Sequence, residues 1–172
     1  MPVMTWNAAL MLDQSVMDQT HEEFAQLLNR LADASDGDVA AVLDEFIAHT
    51  QAHFAQEEQW MEQMAFPPLH CHHGEHQGVL EIAQEVQRRV AAGEVRLVKV
   101  LAQATAGWFA NHAVTMDAML ATYMKQIDFQ PGRDAQPKVG AVPLEFGCGG
   151  SAHAAGGCSA HQPEAAASEQ NQ

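Results

Sequence analysis

Between about residues 18 and 126, apolar side chains recur every three or four positions in a chain of strong helix formers. This period places apolar residues on one face of an α-helix, and the region shows no alternation typical of a strand. Three short interruptions divide it, at residues 35–38 (Ser-Asp-Gly-Asp), at 66–68 (Phe-Pro-Pro) and at Gly93. Because proline and glycine end helices, the pattern predicts an all-α fold with four helices.

The predicted helices cover residues 18–34, 39–64, 69–91 and 94–126. Short connections force consecutive helices to be antiparallel neighbours, so we expect an up-down-up-down antiparallel four-helix bundle. The segment around Trp6 and Leu10 is too short for a bundle helix, and we expect it to pack across the bundle as an extended N-terminal arm. Gly74, Gly78 and Gly107 lie inside predicted helices, where each marks either a bend or a close approach.

The composition changes after residue 130, which predicts a bundle domain at 1–130 and a tail at 131–172. The tail is rich in glycine, alanine and serine and lacks an apolar period, so we expect it to be disordered. It contains Cys148, His153, Cys158 and His161. These side chains either form a site for zinc or another metal, or are incidental members of a low-complexity extension.

The chain is strongly acidic, with a formal net charge of −14 and only eight lysine and arginine residues. This charge disfavours nucleic acid and anionic membranes as partners, because both require a cationic surface. No apolar run approaches the length of a membrane span, and the N-terminus does not resemble a signal peptide. We therefore expect a cytoplasmic protein. Its three cysteines do not form a disulfide framework for a chain of this size.

Histidine and carboxylate residues recur at helical spacing on all four predicted helices. His53 and Glu57, and likewise His72 and His76, are four residues apart and therefore share a helix face. The other members of the set are His21 on the first helix and His112 and Asp117 on the fourth. The five-residue step from His112 to Asp117 rotates an α-helix by about 140°, so these two should not stack like the other pairs.

This donor set favours metal binding over a structural bundle with incidental histidines. Imidazole and carboxylate suit iron, manganese or zinc, and five imidazoles with two carboxylates are too many for one tetrahedral zinc. Two metal ions that share bridging carboxylates would use the set fully. An isolated histidine near an apolar face usually has no such role, and we expect none for His49, His70 and His73.

Four segments of the sequence resemble the hemerythrins, especially the bacterial ones. They are residues 17–21 (Met-Asp-Gln-Thr-His), 53–58 (His-Phe-Ala-Gln-Glu-Glu), 72–76 (His-His-Gly-Glu-His) and 108–112 (Trp-Phe-Ala-Asn-His) with Asp117. Trp6 also lies where the family usually has a tryptophan. The resemblance covers about residues 5–129, and the combined order of these motifs is highly specific.

The resemblance implies two non-haem iron ions joined by an oxo or hydroxo bridge. One iron would be held by His72, His76 and His112, and the other by His21 and His53. Glu57 and Asp117 would bridge the two ions. The second iron would have an open position for molecular oxygen. At the place of His49 the family often has an aromatic residue, so His49 is either a further donor near the site or an exposed side chain.

The implied function is reversible oxygen binding for carriage, storage, delivery to a protein acceptor or sensing, and not enzymatic catalysis. One alternative is a hemerythrin-like protein that handles iron or nitric oxide. Another is a di-iron oxidase. Such oxidases favour Glu-x-x-His pairs, and the sequence contains none.

Overall fold

A computed structural model describes residues 1–132 of the chain, and the regular structure in this range is entirely helical. A short 3₁₀ turn at Ala8–Leu10 precedes α1 (Ser15–Asp33), α2 (Val39–Gln63) and α3 (Leu69–Ala91). The fourth segment comprises α4 (Leu97–His112), a π-helical turn (Ala113–Asp117) and α5 (Ala118–Gln126). The predicted tail, with Cys148, His153, Cys158 and His161, lies outside the described residues.

The four helical segments pack as a closed ring. Helix α1 contacts α2 and α4, and α3 contacts the same two helices from the other side. The arrangement is that of a helical bundle, in agreement with the predicted fold class, whereas the up-and-down order of the helices stays a prediction. Within the described part of the chain, no helix is long and apolar enough to cross a membrane.

The residues before α1 form hydrogen bonds with side chains of α1. The Asn29 side chain accepts from the Met4 N–H at 3.1 Å and donates to the Met4 carbonyl at 2.8 Å. The Asp18 carboxylate accepts from the N–H groups of Leu12 and Gln14, at 2.7 and 3.1 Å. Leu10 is buried in the core, so this segment adds apolar cover to the bundle.

The apolar core consists of two clusters with a polar layer between them. One cluster contains Phe24, Phe46 and Phe109, and the other contains Met17, Met61 and Leu120. Along each helical segment, the buried histidines and carboxylates lie between residues of the two clusters. Burial of so many ionisable groups is costly unless they are paired or bind a cation, so the polar layer indicates a functional site.

The π-helical turn corrects our expectation for His112 and Asp117. The Ala118 N–H donates to the carbonyl of Ala113, five residues earlier, instead of four as in an α-helix. The wider turn brings residues five apart onto the same face. As a result the Nε2 atom of His112 lies 3.1 Å from the Oδ1 atom of Asp117. The two side chains are therefore adjacent. The expectation that they point in different directions was wrong because it assumed the rotation of a regular α-helix between them.

The glycines inside the helices do not serve a close approach. A Cβ atom added at Gly74, Gly78 or Gly107 would meet nothing within 4 Å apart from its own helix and chain neighbours. Because alanine restricts the unfolded chain and favours the helix, Gly78→Ala should raise the free energy of unfolding by about 0.5–1 kcal/mol. Chemical denaturation measures the change.

Gly93→Ala is the matched control for this prediction, because Gly93 has a φ of +96°. Added methyl groups have open space at both glycines, yet alanine is strained at a positive φ. We expect Gly93→Ala to destabilise the protein by about 1 kcal/mol or more. A lower denaturation midpoint for Gly78→Ala would show that the flexibility of α3 at this point is required by the fold.

Candidate metal centre

The structure brings together all seven side chains that the sequence singled out, and each is at most 4% exposed. They come from every helical segment of the bundle. In two groups, one ligand atom from each residue lies within 4.8 Å of those of the other members. The larger group comprises Glu57, His72, His76, His112 and Asp117, and the smaller comprises His21, His53 and Glu57.

The larger group contains three imidazoles whose Nε2 atoms converge. The Nε2 atom of His112 is 2.9 Å from that of His72 and 3.2 Å from that of His76. The Oδ1 atom of Asp117 is 3.1 Å from the Nε2 atoms of His72 and His112. Two ligand atoms that bind one metal ion at about 2.1 Å, with an angle of about 90° between the two bonds, are about 3 Å apart. The distances between these nitrogen and oxygen atoms therefore fit a shared cation.

The smaller group contains two imidazoles. The Oε1 atom of Glu57 lies 3.0 Å from the Nε2 atom of His53 and 3.3 Å from that of His21. The Oδ2 atom of Asp117 lies 3.4 Å from the Nε2 atom of His21. This side of the cluster therefore has one imidazole fewer than the other.

Both carboxylates divide their oxygens between the two groups. Glu57 directs Oε1 at His21 and His53, while its Oε2 atom lies 3.5 Å from the Nε2 atoms of His72 and His76. The two oxygens of Asp117 are divided in the same way, with Oδ2 near His21 and Oδ1 near the three-imidazole group. A carboxylate in this position can contact two cations at once.

Several buried polar atoms of the cluster lack a hydrogen-bond partner within the protein. They include Oε2 of Glu57 and both carboxylate oxygens of Asp117. Imidazole nitrogens lie near these oxygens, but without the geometry of hydrogen bonds. Buried polar atoms without partners are rare because they lose the hydration of the unfolded chain. Hard and intermediate donors that converge in this way fit metal ions such as iron.

The electrostatics of the metal-free cluster keep both acids ionised. Burial alone would raise the pKa values of Glu57 and Asp117, but the surrounding imidazoles lower both below the usual range. Burial alone would also lower the pKa of His72, yet the adjacent carboxylates of Asp117 and Glu57 raise it to about 9. For His76, burial prevails and lowers the pKa to about 2. The acids are thus anionic at neutral pH, as metal ligands must be.

Aromatic side chains enclose the cluster and fix the imidazole rings. Phe54 stacks on His76 with a centroid distance of 3.8 Å and an interplanar angle of 1°, and Trp108 stacks on His112 at 4.4 Å and 26°. Around the two-imidazole group, Phe109 and Trp6 meet the ring of His21 edge-on, at 5.1 and 5.8 Å. These contacts restrict the orientation of the imidazole rings on both sides of the cluster.

The remaining histidines near the site have different surroundings. His49 belongs to neither group; its ring centroid is 6.3 Å from that of His53, and its Nε2 atom lies 3.4 Å from a Glu23 oxygen. His70 is exposed. His73, for which we expected no role, lies 3.0 Å from Oε1 of Glu58.

Glu58 is a residue that the sequence reasoning missed. Its Oε1 atom also lies 3.3 Å from Nδ1 of His76. On α2 it follows Glu57 directly and therefore points about 100° away from it around the helix. The only signal in the sequence was its position in the segment at 53–58 that resembles the hemerythrins.

Comparison with known proteins assigns the family. Residues 13–124 match the model of the hemerythrin HHE cation-binding domain. The chain is 45% identical over 141 residues to the bacteriohemerythrin of Ralstonia nicotianae, a match that covers 82% of this chain and all of that protein. It is 30% identical over 129 residues to the bacteriohemerythrin of Stenotrophomonas maltophilia, covering 73% of this chain and 84% of the relative.

A more distant relative is the bacteriohemerythrin of Methylococcus capsulatus, which is 26% identical over 124 residues, or 69% of this chain and 95% of the relative. No solved structure gives a significant match. The family match covers most of the chain and includes every residue of the buried cluster. The chain therefore belongs to the hemerythrins, a family of non-haem di-iron proteins that bind oxygen.

Proposed function

We propose that this protein binds molecular oxygen reversibly at a centre of two non-haem iron ions, as a binding protein and not as an enzyme. The observation that carries the proposal is the division of the Glu57 and Asp117 oxygens between a three-imidazole and a two-imidazole group. Two carboxylates that face both groups favour a pair of ions over one. The names of the relatives and the family match support iron as the metal.

In this proposal, one iron is held by His72, His76 and His112, and the other by His21 and His53. Glu57 and Asp117 would be ligands shared by the two ions, together with an oxo or hydroxo group. When bound, the iron pair supplies the electrons and the open position for oxygen.

The protein's own side chains select a small ligand on the two-imidazole side. His21 and His53 supply one donor fewer than the opposite group, which favours this side as the oxygen position. Three aromatic rings lie around these imidazoles. The ring centroid of His21 is 5.1 Å from that of Phe109 and 5.8 Å from that of Trp6. The ring centroid of His53 is 5.8 Å from that of Phe24. An apolar wall of this kind excludes water and bulky substrates from the site.

The donor set also argues against a di-iron oxidase. Carboxylate-rich sites with Glu-x-x-His pairs are typical of that class, whereas this cluster has five imidazoles and two carboxylates. Fewer anionic ligands stabilise highly oxidised iron less, which favours reversible binding over cleavage of oxygen. Iron or nitric-oxide handling stays the second candidate, because the same open position would accept nitric oxide.

The proposal also includes three expectations that were derived from the sequence. They are the up-down-up-down order of the helices, the division into a domain at 1–130 and a tail at 131–172, and a protein acceptor that would receive the oxygen. The short connections at 34–38, 64–68 and 92–96 support the helix order.

An anaerobic-to-aerobic optical titration of the iron-reconstituted protein tests the proposed function. We expect two iron ions per chain, and a visible charge-transfer band that appears with oxygen and disappears under vacuum. His70→Ala, which removes an exposed imidazole outside the cluster, should behave like the unchanged protein. A single ion per chain, or irreversible bleaching with turnover of a reductant, would contradict reversible oxygen binding.

A further inference from the structure

We propose that Glu58 is a positioning residue that orients His76 and strengthens it as a ligand of the three-imidazole iron. The inference rests on the proposed function, which assigns His76 to that iron. It concerns a contact outside the seven proposed ligands: Oε1 of Glu58 lies 3.3 Å from Nδ1 of His76, on the side of the ring opposite the cluster. The His76 side chain is fully buried.

This contact distinguishes His76 from three of the other four imidazoles of the cluster. The Nδ1 atoms of His21, His53 and His72 are buried and have no hydrogen-bond partner. Their rings are held by packing, whereas His76 has an anionic acceptor at its outer nitrogen. The carboxylate of Glu58 thus supplies His76 with an outer partner that His21, His53 and His72 lack.

Two side chains of α2, one turn apart, fix the His76 ring together. Phe54 stacks parallel to the ring, at 3.8 Å and 1°, and therefore sets its plane. Stacking does not determine which ring edge faces the cluster, because the two edges present similar surfaces to the phenyl group. The hydrogen bond to Glu58 does determine the orientation. A ring turned by about 180° about its bond to Cβ would present a carbon, Cδ2, to the carboxylate in place of the Nδ1–H donor.

Glu58 also lies close to a second histidine of α3. The same Oε1 atom lies 3.0 Å from Nδ1 of His73, whose side chain is 42% exposed, while that of Glu58 is 23% exposed. His73 and His76 are one helical turn apart and flank the carboxylate from the solvent side and the buried side. The position of His73 off the cluster face did not predict this contact.

The chemical consequence follows from the two nitrogens of imidazole. When Nδ1–H of His76 donates to Glu58, the lone pair is confined to Nε2, the atom that faces the cluster. A carboxylate acceptor also makes Nε2 more basic and hence a stronger metal donor. Loss of such an outer partner typically reduces metal affinity by about 10–100-fold. The effect should begin at the ion that His76 binds.

The first test measures iron release to a chelator in the iron-loaded protein. In Glu58→Leu, we expect the first of the two ions to leave about 10–100-fold faster than in the unchanged protein. Glu58→Gln, whose amide oxygen still accepts a hydrogen bond, should restore part of the retention. Glu62→Gln and Glu62→Leu are matched controls, because Glu62 is an exposed glutamate of the same helix.

The second test needs neither iron nor oxygen. In the metal-free protein, the ¹⁵N chemical shifts of the His76 ring should report a single tautomer with hydrogen on Nδ1, and Glu58→Leu should give a mixture. A mixture in the unchanged protein would overturn the inference about Glu58, whatever the outcome of the oxygen titration. Unchanged iron release from Glu58→Leu, or the same acceleration in Glu62→Leu, would also overturn it. If Glu58 orients His76 but the protein binds no oxygen, only the proposed function fails.

Discussion

Glu57→Gln should leave the protein without a paired iron centre. Glu57 belongs to both groups of the cluster, and its two oxygens face different groups. Glutamine has nearly the same shape but carries no charge, and its amide nitrogen cannot act as the second bridging donor. The buried imidazoles would then face the ions with one anion fewer. Metal analysis after desalting of the reconstituted variant measures the loss.

The same substitution at Glu62 provides the control for Glu57→Gln. Glu62 lies five residues further along α2 and is exposed, so Glu62→Gln should retain the full iron content. Circular dichroism of both variants separates loss of metal from loss of fold. Retention of two tightly bound ions by Glu57→Gln would contradict the bridging role of Glu57 and would require another donor between the two groups.

Removal of the metal should lower the thermal stability of the protein by about 15 °C. Ligands that bind only the folded state stabilise it by mass action, by about 4 kcal/mol at a thousand-fold excess over the dissociation constant. For a helical domain of this size, each kcal/mol shifts the melting temperature by about 3–5 °C. The partnerless oxygens of Glu57 and Asp117 are the groups that gain most from a cation. Calorimetry of metal-free and iron-loaded protein measures the difference.

Glu57→Gln again distinguishes a specific effect from a general one. Because this variant should not hold the pair of ions, added iron should leave its melting temperature nearly unchanged. An equal shift in the variant and the unchanged protein would show that iron stabilises the fold elsewhere. A metal-free protein as stable as the loaded one would contradict metal binding by the buried cluster.

Most helix boundaries were predictable from local chemistry. The predicted third helix, 69–91, has the same bounds as α3, and the predicted second helix ends one residue after α2. The prolines at 67 and 68 and Gly93 explain this agreement, since each ends a helix regardless of tertiary contacts. Helix α1 begins at Ser15, three residues before the predicted start. Its first turn carries little apolar periodicity, and the Asp18 carboxylate caps the preceding N–H groups.

The convergence of the seven side chains was also predictable, because spacing alone places ligand pairs on single helix faces. The π-helical turn was not predictable. The segment Ala113–Asp117 contains no proline or glycine that would indicate an irregular turn. A turn with one extra residue also cannot be recognised from the spacing of the few apolar residues in so short a segment. The contacts of Glu58 with His73 and His76 depend on how α2 faces α3, which sequence spacing within one helix does not determine.

The separation of the apolar core into two clusters has a consequence for folding cooperativity. Each helical segment passes from one cluster to the other through a layer of charged and polar side chains, which supply little cohesion of their own. Without cations, we expect the two ends of the bundle to be coupled less firmly and to open more readily as separate units. Ions bound in this layer would cross-link the helices between the two clusters. Amide hydrogens at both ends of the bundle should then be protected from exchange with solvent to the same degree.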